Sequence, residues 1–125
     1  MMKESFENFI NTCEKSMELD PFVKERCVSG YAEELEDEVK ELKQAIENND
    51  IKNIKEELGD VLLDWLHIAV LARGKHGLDI KEIIIDANEK LSRRKPYIEE
   101  NRKVTIEEAL KTWQDVKKWE KQKIK

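Results

Sequence analysis

The stretch Val61–Ala72 constrains the fold more than any other part of this sequence. It reads Val61, Leu62, Leu63, Trp65, Leu66, Ile68, Ala69, Val70, Leu71 and Ala72, with only Asp64 and His67 breaking the apolar run. A helix turns about 100° per residue, so these side chains point nearly all round the axis. Such a helix must be central and buried on most sides. The segment is far too short for a membrane span, which needs roughly 18 consecutive apolar residues. The entry to the same helix is nonetheless acidic: Glu56-Glu57-Leu58-Gly59-Asp60, then Asp64 one turn on. Glu57, Asp60 and Asp64 share one face at spacings of three and four. Carboxylates carried into a buried helix are costly unless they are paired, neutralised or bound to a metal. Gly59 inside this helix costs about 1 kcal/mol against Ala, which points to close approach of another helix or of a ligand.

The rest of the chain supplies more helices. Phe6, Phe9, Ile10, Cys13 and Met17 recur at helical spacing and predict a first helix over 3–18. Asp20-Pro21 pairs an N-cap with proline at the first helical position and opens a second helix, reaching Glu47. Asn48-Asn49-Asp50 is turn chemistry. The third helix then runs from Ile51 to Lys75, with Gly74 and Gly77 at its end. Asp79 with Glu82 opens a fourth, which stops before Pro96 because the residue preceding proline avoids the helical region. Thr105 with Glu108 forms a second capping box and opens the last helix. Only 4 glycines and 2 prolines occur in 125 residues, and 41% of the residues are charged. No strand-like alternation, repeat or linker is visible. The expectation is an all-α, antiparallel bundle of four to five helices forming a single domain over residues 1–125, with a disordered tail at 122–125. So few helices cover the central one only partly, so the core is expected to be completed by oligomerisation.

Charge is distributed unevenly. The total of 28 acids against 23 bases gives −5. Residues 33–60 hold eleven acids and four bases, while residues 90–125 hold twelve bases and six acids. The overall acidity argues against default nucleic-acid binding. Two cysteines, Cys13 and Cys27, without CxxC spacing, and no signal-like or membrane-spanning segment, lead to the expectation of a reduced, cytoplasmic protein. Both cysteines are read as small packing residues.

On the second helix Tyr31, Leu35, Val39, Leu42 and Ile46 form an apolar stripe. Glu38 lies about 60° and Glu41 about 120° from its middle, on the same side, with Glu34 on that flank too. Glu38 and Glu41 are three apart, and like charges at that spacing repel. Glu41 lies about eight residues before the 48–50 turn and Glu57 about eight after it. An antiparallel hairpin therefore brings Glu38/Glu41 and Glu57/Asp60 to one height. Four carboxylates there suit a hard cation, Mg²⁺ or Mn²⁺. A zinc site is not indicated, because His67, His76 and the cysteines lack ligand spacing. By spacing alone the alternative is a solvated acidic flank.

These motifs resemble the MazG-like nucleoside triphosphate pyrophosphohydrolases of the all-α NTP pyrophosphatase superfamily. That family carries EExxE, a variable gap, then ExxD. Here the segments read Asp37-Glu38-Val39-Lys40-Glu41 and Glu56-Glu57-Leu58-Gly59-Asp60, with Asp37 replacing the first family Glu. The family's Asn-x-Lys-x-x-x-Arg segment before a proline matches Asn88-Glu89-Lys90-Leu91-Ser92-Arg93-Arg94-Lys95-Pro96. Its Trp-x-x-x-Lys matches Trp113-Gln114-Asp115-Val116-Lys117, with Glu120-Lys121 following. The likeness spans about residues 20–121.

The resemblance implies that Glu38, Glu41, Glu57 and Asp60 bind Mg²⁺, with Mn²⁺ as a substitute. It further implies that Glu38, Glu41, Lys90 and Arg94 act in catalysis, and that Asn88, Lys90, Arg94, Trp113 and Lys117 contact the substrate. Trp113 is expected to stack on the base or to pack. The implied reaction cleaves a nucleoside triphosphate to a monophosphate and pyrophosphate, with removal of unwanted nucleotides as the expected role. A homodimer or homotetramer is implied as well. The alternatives are a dUTP-, dCTP- or phosphoribosyl-ATP-hydrolysing enzyme of the same fold, or a non-catalytic helical oligomerisation module that keeps its acids for ion pairs. The Cys-Pro-Trp-Asp and Gln-Thr signature of many relatives is absent, since Cys13 is followed by Glu14-Lys15-Ser16-Met17. Base preference therefore does not carry over.

Overall fold

The computed structural model describes residues 1–124, and the side chains of all of these except Val23, Lys24, Arg26 and Ile124. Five helices follow in order: α1 (Met2–Leu19), α2 (Pro21–Glu47), α3 (Ile51–His76), α4 (Ile80–Arg94) and α5 (Ile106–Ile124). No strand occurs among the described residues. Among the described residues no helix is long and apolar enough to cross a membrane. The chain divides into two compact units, Met1–Ile80 and Lys81–Lys125.

The first unit is built around the α2–α3 hairpin. Asp20 caps α2 by accepting a hydrogen bond from the Phe22 amide at 2.9 Å. The Asn48–Asp50 turn folds back through Asn48 N–H to Gln44 C=O (3.0 Å) and Asp50 N–H to Ala45 C=O (3.1 Å). Asn49 there takes the left-handed conformation at φ 52°, which asparagine tolerates. Asp50 then caps α3 through the Asn53 amide at 3.2 Å. Gly77 ends α3 with φ 67°, and its amide bonds to the Arg73 carbonyl. Gly74, also expected to punctuate this end, sits inside the helix.

Leu66 is fully enclosed, and Cys13, Ala69, Val70 and Ile80 surround it, with Phe9, Ile10, Met17, Leu63 and Trp65 packed outside. The core thus sits between α1 and the second half of α3. Cys13 belongs to it as a packing residue, and burial raises its thiol pKa. The first half of the hairpin is more open than an all-round apolar helix suggests. Leu58 and Leu62 on α3 and Val39 and Ile46 on α2 all face solvent. Outside its own helix backbone, no atom of the described residues lies within 4 Å of where a Gly59 side chain would start, so no other helix among the described residues accounts for that glycine.

One break was not legible. Cys27 interrupts α2 with φ 59° and ψ 170°. Its exposed Sγ lies 3.2 Å from the Ser29 hydroxyl. That hydrogen bond, with those to the backbone of Gly30 and Ser29 and the charge of Lys75, lowers its pKa. Unlike Cys13, it is not a packing residue.

In the second unit α4 ends at Arg94, just ahead of Pro96. A turn follows in which Ile98 N–H bonds to Lys95 C=O at 3.0 Å and Arg102 N–H to Tyr97 C=O at 3.0 Å. Thr105 then caps α5, its hydroxyl accepting from the Glu108 amide at 3.1 Å. The helix continues through Ile124, and Lys125, the end of the expected disordered tail, lies outside the described residues.

Candidate active site

The hairpin brings three of the four expected metal ligands together. Glu38, Glu41 and Glu57 each offer a carboxylate oxygen, and these oxygens lie within 4.8 Å of one another. Glu38 and Glu41 occupy successive turns of α2, and Glu57 meets them from α3 at the height the turn dictates. Asp60 is half-buried one turn beyond Glu57 and is not part of this three-oxygen group. Asp64 is buried a further turn along, also outside the group. Beyond it His67 is buried and stacks on Tyr31, ring centroids 5.0 Å apart.

The electrostatics of the trio are those of a site short of positive charge. Glu38 Oε2 and Glu57 Oε2 are both enclosed and have no hydrogen-bond donor among the described residues. The Glu38 carboxyl is pushed up to about 8. The largest cause is the hydrogen bond that a protonated Glu38 makes with Glu57, followed by burial and then by the Glu41 and Glu57 charges. Without a cation, the cluster holds a proton instead. An all-carboxylate donor set is what a hard divalent ion prefers, so the residues present fit one. Beside the cluster a cavity of about 290 Å³ is lined by Glu41, Gln44, Ala45, Asn48, Asn53 and Glu57.

The expected phosphate-binding residues lie in the second unit. Asp86, Lys90 and Arg93 share a face of α4 at spacings of four and three, with Arg94 on its flank. With Lys117, Trp119, Glu120, Lys121 and Lys123 of α5 they line a cavity of about 450 Å³. Six cationic side chains face two acids there. Lys90, Arg94 and Lys117 are thus brought together. Asn88 is exposed and does not line the cavity. Trp113 does not line it either. Its ring carries the Arg94 guanidinium at 4.8 Å and the Lys95 ammonium at 5.8 Å. The aromatic side chain in the cavity is Trp119, with the Lys123 ammonium 4.9 Å from its ring centroid.

Sequence reasoning did not single out Asp86, Arg93, Trp119 or Glu120 as members of this group, whereas for the lysine-rich end from Lys117 to Lys125 it offers either closure over phosphates or disorder, and Lys121 and Lys123 line the cavity. The one available signal was the charge pattern. Glu120 is the sole acid in a run otherwise basic from Lys117 to Lys125. It accepts hydrogen bonds from both arginines: Arg94 Nε and Nη2 to Oε1 at 3.1 and 3.0 Å, and Arg93 Nε to Oε2 at 2.7 Å with Arg93 Nη2 alongside.

Comparison with known proteins places this geometry. Residues 28–99 match the model of the MazG nucleotide pyrophosphohydrolase domain. That span holds Glu38, Glu41, Glu57, Asp60, Asn88, Lys90 and Arg94, and ends before α5. Over 89 residues the chain is 38% identical to the nucleoside triphosphate pyrophosphohydrolase/pyrophosphatase MazG of Thermotoga maritima, covering 71% of this chain and 34% of that protein. It is 34% identical over 102 residues to YabN of Bacillus subtilis, covering 81% of this chain and 21% of that one. The chain therefore spans about a fifth to a third of these two relatives. The crystal structure of a mazG-related protein from Thermotoga maritima superimposes with a TM-score of 0.84 at 33% identity, covering 90% of this chain and 98% of that one. Fold, motif and matched span agree, and the chain belongs to the MazG nucleotide pyrophosphohydrolase domain family.

Proposed function

We propose that this protein is a magnesium-dependent nucleoside triphosphate pyrophosphohydrolase that releases a nucleoside monophosphate and pyrophosphate. The observation that carries the reading is the meeting of Glu38, Glu41 and Glu57, with an enclosed oxygen on Glu38 and on Glu57 that no basic side chain reaches among the described residues. A structural cluster would pair those oxygens with a base. This one leaves a place for positive charge, on the hairpin that bears the family motif.

Water attacks a triphosphate slowly because the polyanion repels the nucleophile. Catalysis then depends on neutralising charge and fixing geometry. Glu38, Glu41 and Glu57 would hold the ion, with Asp60 as the fourth family ligand on the same helix. Bound there, a divalent cation supplies neutralisation of phosphate charge and a more acidic water. The proton lost by the attacking water would pass to one carboxylate oxygen of the cluster, on Glu38 or on Glu41. Lys90, Arg94 and Lys117 bind phosphate oxygens, Arg94 by its planar fork and the lysines as point charges. Asn88 contributes a neutral hydrogen-bonding group to substrate binding. Trp113 acts through Arg94, which it supports, and not as a platform in the cavity.

The protein is further proposed to work as a homo-oligomer. Val39 and Ile46 of α2 and Leu58 and Leu62 of α3 are exposed apolar side chains on the hairpin itself. A second copy would cover them.

The reading is tested by incubating a panel of nucleoside triphosphates with the protein and Mg²⁺ and separating pyrophosphate from phosphate release. Pyrophosphate and monophosphate in equal amounts are expected. Phosphate release would refute the bond assignment, and no turnover of any nucleotide would refute the enzyme reading.

A further inference from the structure

The second unit contains an arrangement that phosphate binding alone does not require. Glu120 takes N–H donors from two adjacent arginines at once, Arg94 on one oxygen and Arg93 on the other. Its side chain is 12% exposed and that of Arg94 15%, whereas that of Arg93 is 40% exposed. Arg94 is therefore held on two sides, its edge by Glu120 and its flat face by Trp113 at 4.8 Å. Both arginines lower the Glu120 pKa, Arg93 most of all. The carboxylate thus stays ionised near neutral pH, as pairing with both arginines requires.

An arginine guanidinium offers two bidentate N–H edges, Nε/Nη2 and Nη1/Nη2, since Cδ occupies the third side. Glu120 uses the Nε/Nη2 edge of Arg94, and the Nη1 N–H groups have no acceptor among the described residues. Arg94 also lines the 450 Å³ cavity with Lys90 and Lys117. We propose that Glu120 is a positioning residue, clamping Arg94 against Trp113 so that its free Nη1 edge is presented to a phosphate group in this cavity. The inference rests on the reading that Arg94 binds phosphate. It adds that an acid inside an anion site strengthens anion binding, because a fixed arginine loses less freedom when the ligand arrives.

Simple electrostatics gives the opposite sign, and the sign decides the matter. As a mere negative charge among six cations, Glu120 would weaken anion binding, and its removal would tighten it. As a clamp, it would strengthen binding, and its removal would loosen Arg94. Inorganic tripolyphosphate in EDTA is a suitable probe, since without divalent cations only the cationic side chains report. Calorimetric titration would compare wild type, Glu120→Gln, Glu120→Asp, Arg94→Lys and the Arg94→Lys/Glu120→Gln double variant, each checked for helical content.

Expected is about tenfold weaker binding in Glu120→Gln, the scale of one lost charge-assisted hydrogen bond. Glu120→Asp keeps the charge but is one methylene short of both arginines. It should also bind more weakly, and it serves if the Gln variant fails to fold. In the Arg94→Lys background, Glu120→Gln should add nothing further. Unchanged or tighter binding in a folded Glu120→Gln or Glu120→Asp overturns the clamp, as do additive effects in the double variant. Arg94→Lys binding like wild type, or no binding by wild type, overturns the phosphate reading itself and the clamp with it.

Discussion

Replacing Glu57 by Gln removes one of the three charges at the acid cluster while keeping the side chain's size. In the metal-free protein the Glu38 carboxyl is pushed up to about 8 from an ordinary 4.5, and Glu57 is the first cause. The folded state therefore holds this proton more tightly than the unfolded chain does. The associated stability is complete below pH 4.5 and is lost as pH rises through 8. At 1.36 kcal/mol per unit, the full linkage is about 5 kcal/mol. The cluster opens to water on the side of exposed Glu41, so solvent screening reduces this to about 1–2 kcal/mol. Coulomb's law gives a similar scale, since two charges at the outer separation of 4.8 Å repel by about 1 kcal/mol in water and about 3.5 kcal/mol at an effective dielectric of 20.

Glu57→Gln should therefore be more stable than wild type where Glu38 is ionised. In a chain of this size each kcal/mol moves Tm by about 4 °C, so the expected gain is about 4–8 °C at pH 8.5 in EDTA. Near pH 4.5 the two proteins should melt within about 2 °C of each other. Differential scanning calorimetry across this range reads both values. A lower Tm for the variant at pH 8.5, or a difference independent of pH, would falsify the view that the carboxylates repel in the metal-free fold.

Three other perturbations test separate parts of the account. Leu66→Ala empties the centre of the core and should cost about 3 kcal/mol in urea unfolding; a cost under about 1 kcal/mol would mean Leu66 is not central. Gly59→Ala meets no atom of the described residues within 4 Å outside its own helix and should raise the stability of the dissociated chain by about 1 kcal/mol; a loss confined to concentrations at which the chain associates would place Gly59 in the interface between copies, and a loss in the dissociated chain would refute the open surroundings. Trp119→Leu should raise the nucleotide KM several-fold while moving Tm by less than about 2 °C, since this side chain is 48% exposed in the basic cavity; the reverse pattern would make it a packing residue.

Local rules made the helices legible. Asp20-Pro21, Asn48-Asn49-Asp50 and Thr105 with Glu108 act through hydrogen bonds spanning two to three residues, so the sequence alone places them, and the structure shows them at those positions. The meeting of Glu38 and Glu41 with Glu57 followed from counting residues on either side of one turn. The absence of Asp60 from that group did not, because it depends on the precise rotation of α3 against α2. The Cys27 break was also hidden, since nothing in the composition of 21–30 demands a positive φ there. Glu120 and its two arginines are 26 and 27 residues apart. Their meeting depends on the path of 95–105, which no periodicity encodes. Trp113 was favoured over Trp119 by the family's Trp-x-x-x-Lys pattern, and only the packing shows that Arg94 already covers its ring while Trp119 lines the cavity.

The central claim is that Glu38, Glu41 and Glu57 form a divalent-cation site. Its most direct measurement is Mn²⁺ uptake by the metal-free protein, followed by electron paramagnetic resonance, in wild type and in the Glu41→Gln/Glu57→Gln variant. The account predicts saturable loss of the free Mn²⁺ signal in wild type and none in the folded variant over the same range of concentration. Equal uptake by both proteins, or none by wild type, would contradict it.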